Sequence, residues 1–219
     1  MATVEISMAS PTPDAVTKFT DPRITLSGAT RAVVTLVQLK ALWFNTGTLC
    51  NIACTNCYID SSPRNDRLSY LTRTEVAGFL AEARSEHPHL CEIGFTGGEP
   101  FMNPDIIAMM GDAVEAGYRV LVLTNAMKPL AHRRVELAAL QERHPGRMAV
   151  RVSLDHHTRA GHEAVRGPDT WAPAIDGLRW LAGAGFRPSV ACRLPAAETE
   201  SDMREGFQAL FTSLGLDIP

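Results

Sequence analysis

The sequence predicts an α/β protein built on a parallel sheet with helices packed against it. Two observations predict this. Five short apolar runs occur, at residues 41–46, 92–96, 120–124, 149–154 and 189–194, too far apart to be joined by hairpin turns. Between them lie segments whose apolar residues recur at helical spacing, so a strand–loop–helix unit repeats five times. Crossovers of that length join parallel strands. The pattern fits either an open doubly wound sheet or a curved partial barrel, and both gather their chemistry at the C-terminal ends of the strands.

Taken in order, residues 41–46 (ALWFNT) read as the first buried strand. The helix expected over 72–86 begins Thr72-Arg73-Thr74-Glu75, a capping-box pattern, and aligns Val76, Phe79, Leu80 and Ala83. Residues 92–96 (EIGFT) form the second run. The next helix, 104–116, has Asn103 as its N-cap and Pro104 at its first position, aligns Ile106, Ile107, Met110 and Val114, and ends at Gly117. The third run, 120–124 (VLVLT), leads to a helix over 130–143, and the fourth, 149–154 (AVRVSL), to a short helical stretch. A helix over 171–184 tolerates Pro173 near its start, and the strand 189–194 (SVACRL) and a helix over 200–214 complete the set. Residues 1–22 contain Pro11, Pro13 and small polar residues and read as a mobile leader, which leaves 23–219 as the core.

Composition excludes several classes of function. With 21 Lys and Arg against 24 Asp and Glu, the net charge of −3 argues against a broadly basic nucleic-acid surface. Aromatic residues, at 6%, are too few for a base-stacking platform. The stretch 32–44 is broken by Thr35, Gln38 and Lys40 and is too short and too polar to span a bilayer. The N-terminus lacks the basic start and apolar middle of a signal peptide, so a cytoplasmic setting with reduced thiols is expected, with neither membrane nor nucleic acid as a partner.

Three of the five cysteines, Cys50, Cys54 and Cys57, fall within eight residues directly after the first strand. Among reduced thiols this C-x3-C-x2-C spacing points to a metal before disulfides. Structural zinc takes four protein ligands. No fourth cysteine is nearby, because Cys91 and Cys192 belong in or beside other strands. A [4Fe–4S] cube normally takes four cysteines; held by three, it keeps one iron open to an exogenous ligand.

C-x3-C-x2-C followed by the aromatic Tyr58 resembles the signature of the radical S-adenosylmethionine (radical SAM) superfamily. The resemblance implies a partial (β/α)6-type TIM-like barrel, here ending after about five β/α units where the family core has a sixth. It implies a [4Fe–4S] cluster on Cys50, Cys54 and Cys57, with S-adenosylmethionine (SAM) on the open iron and Tyr58 beside the cofactor. The segment GFTGGEP after the second strand is similar to the family's GGE motif, which assigns Gly97, Gly98 and Glu99 to the amino group of SAM. Asn125, at the end of the third strand, would border the same site, with simple turn formation as its alternative. Ser153 and Asp155, ending the fourth strand, would reach the ribose, though Asp155 could equally orient a neighbouring loop. Arg166 resembles an Arg-Gly of the family's peptide-modifying branch; it either meets a carboxylate or is a solvated surface arginine.

The implied reaction is one-electron reduction of SAM to methionine and a 5′-deoxyadenosyl radical, which abstracts hydrogen from an unidentified substrate. The electron would come from a low-potential donor such as flavodoxin or ferredoxin. No cysteine follows Cys192, so the likeness to peptide-modifying enzymes is confined to the core. Ile52, Phe95 and Phe101 are expected to shield the cluster. A non-catalytic iron–sulfur or SAM-binding module and a zinc-binding α/β protein are the competing readings. Other residues take plainer readings. His156, His157 and His162 lack the spacing of a zinc helix, and Cys91 reads as a small buried hydrophobe. Cys192 falls inside the fifth strand, facing the interior, and His132-Arg133-Arg134 reads as a solvated helix face.

Overall fold

The computed structural model describes residues 21–218 except Leu26 and Leu36. Two compact units make up the chain, residues 1–37 and 38–219. In the first, an isolated antiparallel bridge joins Ile24 to Thr30. Asp21 Oδ1 there accepts the backbone N–H groups of Arg23 and Ile24. The expected leader, 1–22, lies outside the described residues apart from Asp21 and Pro22.

The second unit alternates strands and helices: β1 (Ala41–Asn45), α1 (Arg73–Glu86), β2 (Glu92–Thr96), α2 (Ile106–Glu115), β3 (Arg119–Thr124), α3 (Lys128–His132), α4 (Arg134–Arg143), β4 (Met148–Ser153), α5 (Arg159–Arg166), α6 (Trp171–Gly183), β5 (Ser189–Ala191) and α7 (Glu200–Leu214). The strands pair in the order β1-β2-β3-β4-β5, all parallel. That order decides between the two predicted architectures. A doubly wound sheet reverses its strand order part-way and so places helices on both faces. Here each strand pairs with the next, and right-handed crossovers then keep the helices on one face while the sheet curls. Five strands do not close it, so the fold is a partial TIM-like barrel.

Strand residues alternate accordingly. In β4, Met148, Val150 and Val152 are buried while Ala149 and Arg151 are exposed. Phe44 of β1 stacks on Phe95 of β2, with ring centroids 5.7 Å apart, inside the core that also holds Val76 and Leu80 of α1. On the opposite face the Trp43 ring lies across the backbone of Gly94, where a Cβ would come within 2.3 Å of it.

Several local expectations change. Thr72 and Glu75 form the capping box, but Phe79 stands half out of the buried stripe of Val76, Leu80 and Ala83. Asn103 does not cap a helix from 104. Its Oδ1 accepts from Asp105 N, and its Nδ2 donates to Thr46 O and Leu71 O, so α2 starts at Ile106 after a 3-10 turn over Pro100–Met102. The helix expected over 130–143 is two, breaking at Arg133. Cys91 is exposed just ahead of β2, with Arg119 Nη2 3.7 Å from its sulfur, and is not a buried hydrophobe. β5 ends at Ala191, which places the exposed Cys192 in the following loop and not inside the strand.

Candidate radical SAM site

The loop after β1 is held by its neighbours before any cofactor is considered. Thr46 binds Thr96 O through both its amide and its hydroxyl. The buried Thr48 hydroxyl accepts from Leu68 N, and Leu49 bridges to Ser62. The amide of Cys50 donates to Ser62 O, that of Thr55 to Val165 O at the end of α5, and that of Ser61 to Cys57 Sγ at 3.3 Å. Cys50, Cys54 and Cys57 are free thiols, and all three line one pocket at the C-terminal end of the strands, about 190 Å³ in volume.

The glycine turn after β2 presses on this loop. Gly98 N–H donates to Gly47 O and Glu99 N–H to Leu49 O, and a Cβ on Gly98 would fall 2.1 Å from Leu49 O. Only glycine permits that approach. Gly97, at φ +140°, turns the chain and lines the pocket with Thr96 and Gly98. Glu99 behaves differently. Its side chain is 1% exposed; Oε1 accepts from Phe101 N (3.2 Å) and Thr124 Oγ1 (2.7 Å), and Oε2 from Asn125 N (2.8 Å). Burial raises its pKa against the pull of those donors. Its carboxylate splices the end of β2 to the end of β3 and does not line the pocket, whereas the glycine backbone does.

Asn125 does more than form a turn. Its Nδ2 donates to Asn51 Oδ1 at 2.8 Å and lies 3.8 Å from Cys50 Sγ. Ser153 lines the pocket, and Tyr58 stands at its rim, 79% exposed. Asp155 is buried and holds Arg166, Nε to Oδ2 at 2.6 Å; Arg166 Nη1 in turn lies 3.9 Å from Cys54 Sγ. Arg166 is thus not a solvated surface arginine, and Asp155 orients it. Of the residues expected to shield a cluster, Ile52 lines the pocket. Phe95 is wholly inside the helix-facing core, because strand alternation turns it away, and Phe101 lines a separate hollow.

Sequence reasoning missed Arg193, which lines the pocket with Nε 3.8 Å from Asp155 Oδ1. The signal was its place just past the end of a strand, obscured by reading that strand three residues too long. Asn51 and Ser61 were also missed; contacts within and between the loops reveal them.

His156, His157 and Glu198 bring possible ligand atoms within 4.8 Å of one another. Hydrogen bonds account for His156 and Glu198 without an ion, whereas His157 Nδ1 is buried with no hydrogen-bond partner among the described residues. His156 Nδ1 accepts from Thr158 N at 2.9 Å, which leaves the ring proton on Nε2 to donate to Glu198 Oε1 at 2.7 Å. The two imidazoles also stack at 4.2 Å, so their in-plane lone pairs run side by side and do not converge on one point.

The cysteine pocket does fit a soft metal cluster. Three thiols share one wall, and no disulfide uses them. Burial pushes the Cys50 thiol up to about 12 and raises that of Cys54 against the pull of Arg166. Such thiols become thiolates when a bound cation compensates the charge.

Comparison with known proteins agrees. The mycofactocin maturase MftC of Mycobacterium ulcerans is 31% identical over 137 residues, covering 63% of this chain and 35% of that protein. The GTP 3′,8-cyclase of Rhodococcus opacus is 30% identical over 142 residues, covering 64% of this chain and 38% of that protein. This chain therefore spans little more than a third of either relative. Among solved structures, Streptococcus suis SuiB bound to S-adenosylmethionine superposes with a TM-score of 0.65 at 14% identity, over 82% of this chain and 39% of that one. SuiB has also been solved bound to the precursor peptide SuiA. The family profile matches residues 44–207, well over half of the chain and including all three clustered cysteines, and with that match the chain belongs to the radical SAM superfamily.

Proposed function

We propose that the chain is the catalytic core of a radical SAM enzyme that acts on a peptide. The observation that carries the reading is the meeting of three free cysteines with the Gly97–Gly98 backbone in one pocket at the strand ends. When bound there, a [4Fe–4S] cluster and SAM would supply reductive C–S cleavage and a 5′-deoxyadenosyl radical for hydrogen abstraction. The chain's own residues do the rest. Cys50, Cys54 and Cys57 offer the sulfur ligands, and Arg166, braced by Asp155, places positive charge beside Cys54. Gly97 and Gly98 offer an exposed backbone to the amino-acid end of SAM, and Ser153 and Asn125 offer polar atoms. Glu99 acts through the splice it makes, holding Asn125 in place. Tyr58 and Arg193 stand where substrate would enter.

A peptide substrate is supported by the maturase relative and by the SuiB complex with a precursor peptide. An oxygen-sensitive cluster suits a reducing cytoplasm and a low-potential donor such as flavodoxin or ferredoxin. Among the described residues no helix is long and apolar enough to cross a membrane.

The test is anaerobic reconstitution with iron and sulfide, followed by reduction with dithionite in the presence of SAM. About four irons per chain and formation of 5′-deoxyadenosine are expected, and Cys54→Ala should lose both. A protein that binds no iron, or binds it and never cleaves SAM, overturns the reading.

A further inference from the structure

The face of the sheet opposite the helices is the concave one, and strand alternation says which residues stand on it. In β4, Met148, Val150 and Val152 enter the helix-facing core, so Arg151 and Ser153 face the concave side. Arg151 is in register with Ser189 of β5, and Ser153 with Ala191. Arg193 comes two residues after Ala191 and lines the cysteine pocket beside Ser153. The wall made by β4 and β5 therefore carries one guanidinium at the pocket and a second about 7 Å lower, two residues before Ser153. Arg151 Nε donates to Ser189 Oγ at 3.4 Å, which lays its side chain towards β5.

The protein leaves this wall with positive charge to spare. Arg151 is exposed, and among the described residues no carboxylate forms an ion pair with it. Arg193 has one carboxylate near it, Asp155, whose Oδ1 lies 3.8 Å from Nε. That carboxylate already holds Arg166 at 2.6 Å. One negative charge is thus shared by two guanidiniums, and Arg193 is the looser partner, its side chain 44% exposed against 12% for Arg166. No carboxylate lines the pocket. Glu92 is the one acidic residue in the five strands, and it stands at the far end of β2, in register with Arg119.

A guanidinium with an unused fork binds a carboxylate through paired hydrogen bonds, and binds it best where water is partly excluded. We infer that Arg193, with Arg151 behind it, forms a carboxylate subsite that selects an acidic peptide and holds its negative group beside the cysteine pocket. The inference rests on the proposed function and deepens it by naming the charge of the substrate. The carboxylate belongs either to an acidic side chain or to the end of the peptide; the chemistry is the same, and the probes below separate the two.

The test uses the anaerobically reconstituted chain with SAM and three pentapeptides of alanine and glycine. The first has a central glutamate and blocked ends, the second a central glutamine and blocked ends, and the third a central glutamine and a free C-terminal carboxylate. Affinities are measured at low and high salt for wild type, Arg193→Gln, Arg151→Gln and Arg84→Gln, the last an exposed charge on α1. At least one carboxylate peptide should bind wild type about 10-fold more tightly than the neutral one, and salt should shrink the difference. Whichever carboxylate peptide shows the preference identifies the source. Arg193→Gln should abolish the preference, Arg151→Gln should reduce it about 3-fold, and Arg84→Gln should keep it.

Equal affinity of wild type for all three peptides, or a preference that survives in both Arg193→Gln and Arg151→Gln, overturns the subsite. So does a loss of SAM affinity in Arg193→Gln as large as the loss of peptide affinity, which would put the charge on the cofactor. GTP serves as a phosphate probe, and tighter binding of GTP than of either carboxylate peptide also overturns it. An absence of 5′-deoxyadenosine from wild type under dithionite overturns the proposed function instead, while the peptide affinities still judge the wall.

Discussion

Replacing Gly98 with alanine probes the seam between the glycine turn and the cysteine loop. A Cβ there would stand 2.1 Å from Leu49 O and 2.9 Å from Thr48 O. Both atoms are backbone, so no rotamer change relieves the contact, and the loop has to retreat by about 1 Å. Two hydrogen bonds cross the same gap, Gly98 N to Gly47 O at 2.8 Å and Glu99 N to Leu49 O at 3.1 Å. A retreat of that size takes both to the edge of useful distance. A buried N–H left without its acceptor costs about 1–3 kcal/mol, so the two together put the loss at about 2–4 kcal/mol once partial relaxation is allowed. Cys50 adjoins Leu49 and moves with it, so iron uptake should fall as well. Urea unfolding of the cluster-free protein gives the first quantity, and iron per chain after anaerobic reconstitution gives the second. An unchanged unfolding midpoint together with wild-type iron content would mean that the Gly98–Leu49 contact does not hold the cysteine loop.

Other positions give independent checks. Gly78 sits mid-way along α1 with nothing within 4 Å of its would-be Cβ, so Gly78→Ala should stabilise by about 0.5–1 kcal/mol in the same urea assay. Burial, helped by Arg166, lowers His162 from 6.5 to about 4. Between those values the unfolded chain takes up a proton that the folded chain refuses, so the contribution is complete above pH 6.5 and is lost as pH falls towards 4. After allowance for solvent screening the loss is about 2 kcal/mol, and His162→Gln should flatten that part of the stability–pH curve; an unaltered slope counts against the assignment. Asp155→Asn removes the charge that faces the nearly buried Arg166 guanidinium and should cost about 2–4 kcal/mol. A double variant with Arg166→Met should recover part of that loss, and strict additivity would mean that the pair is not coupled. Thr199 caps α7 in a reciprocal box with Asp202, so Thr199→Ala should lower the unfolding free energy by about 1 kcal/mol.

The strands were legible because each is a short run whose apolar character is local. Residues 92–96 read from the chain are β2 as folded. The Thr72 capping box was legible for the same reason, since its partners are three residues apart. The reading weakened wherever a partner lay far along the chain. Local sequence marks Asn103 as an N-cap, whereas in the fold its amide donates to Thr46 O and Leu71 O. Arg166 had no visible partner until α5 set it against Asp155, eleven residues earlier. Arg193 was hidden by the assumption that an apolar-leaning strand runs to Leu194, when pairing with β4 stops at Ala191.

The spacing of Cys50, Cys54 and Cys57 and the two adjacent glycines name the chemistry because ligand identity and backbone freedom belong to the residues themselves. The choice between a doubly wound sheet and a curled partial barrel was open in the chain, since both use the same repeating unit, and only the pairing order closed it. Packing also tied the Glu99 carboxylate to Thr124 and Asn125, which arrive from β3 with the donors that a buried polar group needs. Periodicity says which residues can face inward; what they meet there is decided by segments tens of residues away.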